Sequence, residues 1–239
     1  MEGRNAMNIS MSYYTHIGKR KNNEDSLAAV EAKGGVLACV ADGLGGHDNG
    51  EFASREAINT LNKLLVEEAI DEDTLEDAIL AADEAVRKIH ETAPGALTTI
   101  AALWLDEKHA VAANVGDTRI YQFREGKVLF QSMDHSAAQL AVLAGDITLD
   151  EIRGHRDRNK LIRVLGGESA PKVAQRLLDV RSGDRFLLCS DGFWEQITEP
   201  VMIRLAQDSA DAGEWLKRMR ELVENQAKDN NTAIAIMVR

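Results

Sequence analysis

Four aspartates sit where apolar runs stop or break. "VADG" ends one run at Asp42, "VGD" interrupts a second at Asp117, "CSDG" ends a third at Asp191, and "KDNNT" opens a fourth beside Asp229. An Asp-Gly pair after a strand is often only a turn, because Asp bonds its own backbone and Gly takes positive φ. "NNED" at residues 22–25 changes that reading, since Glu24 and Asp25 make six acids anchored on rigid elements. Converging carboxylates repel one another and lose water, so they oppose folding unless a cation neutralises them. Oxygen donors select Mg²⁺ or Mn²⁺ over zinc, and no HxxxH or paired-Cys cluster is present.

The glycines of "DGLGG" let the backbone pass close to such an ion, and Gly43 could offer its carbonyl. Two divalent cations ~3.5–4 Å apart would lower the pKa of a water between them and aim it in line at phosphorus. No side-chain nucleophile is then required. Arg20, in "RKNNED", is the candidate phosphate clamp. A guanidinium meets two phosphate oxygens with two parallel hydrogen bonds, which neither Lys19 nor Lys21 can do. An arginine beside acids is otherwise an ordinary surface salt bridge, so the constellation carries the argument.

These groups need a rigid frame. Short apolar runs bounded by Gly or Asp predict strands buried on both faces over 36–42, 98–105, 110–117, 185–191 and 232–238. Amphipathic helices that cover a sheet are predicted over 52–69 (Ala53, Ala57, Leu61, Leu64, Leu65) and 74–90 (Leu75, Ile79, Ala82, Val86, Ile89). A third fits 213–227, with Trp215, Met219, Leu222 and Val223 on one face. Grouped strands and paired helices, without regular βαβ alternation, favour a layered α+β domain over a parallel Rossmann-like sheet. Neither GxGxxG nor GxxxxGK[ST] occurs, and no repeat or low-complexity linker divides the chain, so a single domain over 1–239 is expected.

The net charge of -11 argues against a nucleic-acid partner, which Lys and Arg would have to hold. No stretch approaches the ~20 apolar residues of a membrane span, and no secretory h-region opens the chain. A cytoplasmic protein without membrane association is expected, with residues 1–5 a frayed end. Cys39 and Cys189 each lie inside an apolar run and read as buried free thiols.

Six motifs follow one another across residues 12–238: "RKNNED", "ADGLGGH", "NVGDTRIY", "MDHS", "LLCSDGFWE" and "DNNTAIAIMV". In this order they resemble the metal-dependent PP2C (PPM) family of serine/threonine protein phosphatases, in its compact bacterial form. The resemblance implies a four-layer αββα sandwich of two mainly antiparallel sheets flanked by helices. It also implies two Mn²⁺ or Mg²⁺ ions, with a third, weaker one. By position Asp42 resembles the carboxylate bridging both metals, Gly43 the carbonyl ligand, and Asp191 and Asp229 the ligands completing the second metal site. Asp25 would hold metal-bound waters, with Glu24 supporting it. Asp117 matches the ligand for the third metal, shared with Asp191, and Arg20 matches the phosphate-binding arginine. Arg20, Asp42 and Asp191 are the catalytic residues this implies.

The sequence departs from many family members at Leu44, where they carry a histidine proposed as general acid; bacterial-type members commonly have Met or Leu. The general acid is therefore unassigned, with a water on the third metal preferred and His47 read as a helix-start or structural residue. The resemblance also implies a mobile flap beside the active site at about residues 134–167. There Arg153, Arg156, Arg158, Lys160 and Arg163 stand against the single acid Asp157. They read either as a solvated helix face or as electrostatic selection of a phosphorylated protein segment. His135 and His155 read as turn or surface histidines.

The expected activity is hydrolysis of phosphothreonine and phosphoserine in proteins, opposing a bacterial Ser/Thr kinase, by a monomer. The alternative is a catalytically silent phosphoprotein-binding domain on the same fold, against which the presence of Asp42, Asp191 and Asp229 weighs. A nuclease is disfavoured by the acidic charge and the lack of a basic groove studded with aromatics.

Overall fold

Unbroken apolar runs become the inner strands of two facing sheets. The computed structural model describes residues 9–44, 49–106 and 108–239; the expectations for residues 1–5 and for His47 fall outside them. The chain begins with β1 (Ile9–His16), β2 (Asp25–Ala32) and β3 (Gly35–Leu44), then α1 (Gly50–Leu65) and α2 (Glu72–Lys88). Next come β4 (Leu97–Thr98), β5 (Ile100–Leu105), β6 (His109–Val115), β7 (Arg119–Arg124), β8 (Lys127–Gln131) and α3 (Ala137–Ala144). After β9 (Ala174–Asp179) and β10 (Arg185–Cys189) follow α4 (Asp191–Trp194), α5 (Glu199–Gln207), α6 (Ala212–Val223) and β11 (Asn231–Val238).

One sheet has the order β1-β11-β10-β7-β8 and the other β2-β3-β5-β6-β9, with β4 paired to β3. The strand pairs are antiparallel. Period-two alternation then sorts side chains into three cores. Leu37, Cys39 and Ala41 of β3 pack under α1 and α2. Val36, Ala38 and Val40 meet Phe186, Leu188, Ile234 and Ile236 of the opposite sheet. Leu187, Cys189, Ala233 and Ala235 turn outward onto α4, α5 and α6, against Trp194 and Trp215. Helix, sheet, sheet and helix are thus the four layers expected, and both cysteines are buried free thiols.

Several boundaries shift. The helix expected at 52–69 spans Gly50–Leu65, that at 74–90 spans Glu72–Lys88 with a 3-10 turn at Ile89–Glu91, and that at 213–227 spans Ala212–Val223. Asp71 and Asp211 start the latter two by accepting the backbone N–H of Thr74 and Glu214. Leu64 and Leu222, placed on the buried stripes, are each 40% exposed. The run at 98–105 is two strands interrupted at Thr99. Residues 134–167 lie between β8 and β9 and hold α3 and a 3-10 turn at Leu149–Gly154. Their ends are laced to the strands: His135 N–H donates to Gly116 O and Leu165 N–H to Thr98 O.

Candidate active site

Strand register places the first two acids. Asp25 of β2 lies directly across from Asp42 of β3, so their side chains share a face of the sheet. Asp117 stands where the chain leaves β6 for β7 of the other sheet, Asp191 opens α4 straight after β10, and Asp229 precedes β11. Pairing at the ends of β10 and β11 draws the last two together, because Ser190 N–H donates to Thr232 O at 3.0 Å and Ser190 Oγ accepts Thr232 N–H at 3.0 Å. The result is a cleft of about 200 Å³ lined by Arg20, Glu24, Asp42, Gly43, Leu44, Asp117, Asn159, Leu161, Asp191, Asp229 and Asn230. Of the candidate residues only Asp25 lies outside this lining; it is buried, and Ser190 Oγ–H donates to its Oδ2 at 2.8 Å.

Crowding shows in the acids' proton affinity. Burial pushes Asp25 up to about 7, against hydrogen bonds from Thr232 and Ser190, and the charges of Asp229 and Glu24 add to the rise. Asp191 is also pushed up to about 7, by desolvation and then by Asp229, Glu195 and Asp25. Asp42 is held well above the usual carboxylate range by desolvation and then by Asp25, Asp191, Asp117 and Asp229. Asp117 is raised by burial, Asp191 and Asp134, with Arg119 opposing. Asp25 Oδ1 is buried and has no hydrogen-bond partner. An all-oxygen donor set with strong mutual repulsion and one orphaned buried oxygen fits a hard divalent cation. Among the described residues no three acids form a ready-made chelate. Asp229 is turned to Arg20, which donates from Nε at 2.7 Å and Nη2 at 2.5 Å, and Asp191 bonds Asp42. A cation would have to replace these pairings.

Gly43 is needed for a reason the sequence reading did not give. A Cβ there would run into the carbonyl oxygens of Gly50 and Glu24, so it is the close approach of three backbones that demands glycine. Glu24 braces this junction. Its Oε1 accepts the N–H of Gly50 at 3.1 Å at the start of α1, its carbonyl accepts Gly43 N–H at 3.1 Å, and its own N–H donates to Asn230 Oδ1 at 2.8 Å.

Other supporting residues were not foreseen. Thr98 and Thr99 bind both backbone groups of Asp42. Trp194 Nε1–H donates to the Asp117 carbonyl at 3.0 Å, while the Arg119 guanidinium lies 3.5 Å from the Trp194 ring centroid. Arg119 is itself buried and donates to both oxygens of Asp134, at 2.8 and 2.7 Å. A charged residue between "GDT" and "IY" gives no sequence sign of burial; Asp134, Trp194, Tyr121 and Glu199, brought around it by the fold, explain it.

The basic segment fits neither expected reading as a whole. Arg153 donates to Glu199 at 2.9 Å and to the carbonyls of Trp194 and Ile197, and Arg158 pairs with Glu195, so both tie 149–160 to the chain after α4. Arg156 remains exposed, 3.5 Å from Asp157, and Lys160 pairs with the same acid. His135 is buried rather than superficial. Its Nδ1 accepts Gly116 N–H at 3.0 Å, and burial, with Arg163 alongside, pushes its pKa down to about 4. A larger cleft of about 620 Å³ runs beside β8, lined by apolar Val128, Leu129, Phe130 and Leu149 with Arg119, Arg153 and Glu199. Its arginines are already paired with acids, and the carboxylate cluster lies in the smaller cleft.

The family model for Protein phosphatase 2C matches residues 14–234. The chain belongs to the protein phosphatase 2C family. It is 31% identical over 223 residues to the serine/threonine protein phosphatase PstP of Mycobacterium tuberculosis, covering 91% of this chain but 42% of that relative's length. The crystal structure of the M. tuberculosis phosphatase PstP/Ppp superposes with a TM-score of 0.85 at 30% identity, over 97% of this chain and 99% of that one. The PstP catalytic domain in complex with two manganese ions matches with a TM-score of 0.82 at 30% identity, covering 96% and 98%. The PP2C fold thus accounts for the four layers.

Proposed function

We propose that this chain is a protein serine/threonine phosphatase, hydrolysing phosphothreonine and phosphoserine in phosphoproteins with Mn²⁺ or Mg²⁺ as cofactor. The observation that carries the reading is the meeting of Asp42, Asp117, Asp191 and Asp229 with Arg20 around one small cleft, with Asp25 across the ladder from Asp42. The two manganese ions in the PstP catalytic domain support the choice of cofactor. Asp42, the Gly43 carbonyl, Asp191 and Asp229 would hold two ions, with Asp25 and Glu24 behind them and Asp117 and Asp191 at a third position. When bound, such ions supply charge neutralisation at phosphoryl oxygens and an activated water.

The chain's own residues do the rest. Arg20 presents a fork of donors to two phosphate oxygens and orients the phosphoryl group. Carboxylates on strand ends keep their geometry because the strands are locked in register. Leu44 lines the cleft without an exchangeable proton, so it donates none to the leaving alkoxide. Residues 134–167 act as a flap on a single catalytic unit, with Asn159 and Leu161 reaching the cleft. The chain acts as a monomer in the cytoplasm against the products of a bacterial Ser/Thr kinase; its net charge of -11 disfavours nucleic acid. Among the described residues no helix is long and apolar enough to cross a membrane.

The test is phosphate release from a phosphothreonine peptide under Mn²⁺ and Mg²⁺ titration, with EDTA as control, for wild type and Asp191→Asn. Metal-dependent release that collapses in the variant supports the reading. Folded wild type that binds the peptide but releases no phosphate at saturating Mn²⁺ overturns it in favour of a silent phosphoprotein reader.

A further inference from the structure

Thr99 is fully buried and sits at the interruption between β4 and β5, directly opposite Asp42. Its N–H donates to the Asp42 carbonyl at 2.9 Å, as in a regular ladder. The return bond is different: Asp42 N–H, at 3.0 Å, goes to the Thr99 hydroxyl. The same Oγ1 lies 2.6 Å from Thr118 Oγ1, in the residue after Asp117. The Thr99 methyl fills the space over Gly116, the residue before Asp117, where φ is +102° and a Cβ would collide with it. One side chain therefore grips the backbone at Asp42 and packs on both neighbours of Asp117.

We propose that Thr99 is a positioning residue that sets the placement of Asp42 relative to Asp117, and through it the cation affinity of the site. A hydroxyl suits this task because it accepts from Asp42 N–H and shares a second hydrogen bond with the Thr118 hydroxyl at once, which no aliphatic side chain of that size does. Burial makes the link stiff, since no water can replace either partner. The inference rests on the proposed metal-dependent phosphatase reading, and Thr99 touches neither substrate nor ion.

The experiment compares Thr99→Val, which keeps the shape and loses the hydroxyl, with Thr99→Ser, which keeps the hydroxyl and loses the methyl. Mn²⁺ binding is measured by calorimetry alongside kcat and KM on a phosphothreonine peptide. Thr99→Val is expected to weaken Mn²⁺ binding and lower kcat, each by roughly 10-fold, the lower end of what supporting partners of metal ligands contribute. KM for the peptide should hold and Thr99→Ser should restore both values. If Thr99→Val fails to fold, Thr118→Val removes the other end of the link and is expected to weaken Mn²⁺ binding likewise. Wild-type Mn²⁺ affinity in the folded Val variant, or a Ser variant no better than Val, overturns the proposal. A wild type that binds Mn²⁺ without releasing phosphate overturns the phosphatase reading instead, while the affinity comparison still decides on Thr99.

Discussion

Arg20 holds both carboxylate oxygens of Asp229 across a sequence separation of 209 residues, at 2.7 and 2.5 Å. The proposed phosphate clamp and a proposed metal ligand thus occupy each other, and a cation held by Asp229 would leave the guanidinium free for phosphate. Arg20→Ala should therefore bind Mn²⁺ more tightly than wild type in calorimetry. At the same time kcat/KM on a phosphothreonine peptide should fall on the order of 10²-fold, as when a preorganised donor is removed. Lys21→Ala, which removes an exposed charge outside the cleft, should leave both values near wild type. Unchanged Mn²⁺ affinity in Arg20→Ala would show that the pairing does not compete with the ion.

Raised carboxyl pKa values give the metal-free protein a particular pH response. Asp25 and Asp191 release their protons near 7 when folded but near 3.8 when unfolded, so the folded state binds more protons between these values. The stability this contributes is complete below about 3.8 and is lost as pH rises through about 7. In EDTA the Tm should fall from pH 5 to pH 8, and saturating Mn²⁺ should remove most of that fall. A Tm that climbs over this range in EDTA would contradict the crowding of the acids.

Gly43→Ala forces a Cβ against two backbone carbonyls on separate segments. Neither can move alone, because Glu24 and Gly50 are also hydrogen-bonded to each other. Urea unfolding should show a loss of about 1–3 kcal/mol, the usual range for overpacking a filled site. Because the displaced segments carry Asp42 and Glu24, Mn²⁺ binding should fall as well.

Arg158 anchors the turn that carries Asn159 into the cleft, through its pair with Glu195. Arg158→Ala should leave the Tm nearly unchanged, since a partly exposed ion pair adds ~1 kcal/mol or less. KM for a phosphothreonine peptide should rise several-fold, and by more than that for p-nitrophenyl phosphate, which has no peptide chain to lie along residues 149–160 beyond the cleft. An equal rise for both substrates would place the effect in the carboxylate cluster rather than in residues 149–160.

The sequence exposed the acids because each interrupts an apolar run: Asp42, Asp117 and Asp191 stand at the ends of strands whose interiors are buried on both faces. Partly exposed strands were harder to see. "ISMSYYTH" and "DSLAAVEA" mix polar and apolar residues because each is the edge strand of its sheet and only partly covered. The β7–β8 hairpin turns at Glu125–Gly126, both at positive φ, where the more common signals are Asn-Gly or Asp-Gly. Arg119, Thr99 and Trp194 act on partners that only the folded chain brings near, and no local pattern announces such pairings. The basic run was visible as charge, but which of its residues anchor the segment to the rest of the chain depends on Glu195 and Glu199, more than thirty residues away.

The acids come from both sheets: Asp25 and Asp42 from one, Asp191 and Asp229 from the ends of strands in the other. Neither sheet can assemble the cluster alone, so the cation site comes into being only when the two have docked. Where that docking comes after the folding barrier of a topology built on distant strand pairings, an ion that binds only then deepens the native basin without lowering that barrier. Metal would thus prolong the lifetime of the folded protein by slowing its unfolding while leaving the rate of folding where the bare chain sets it.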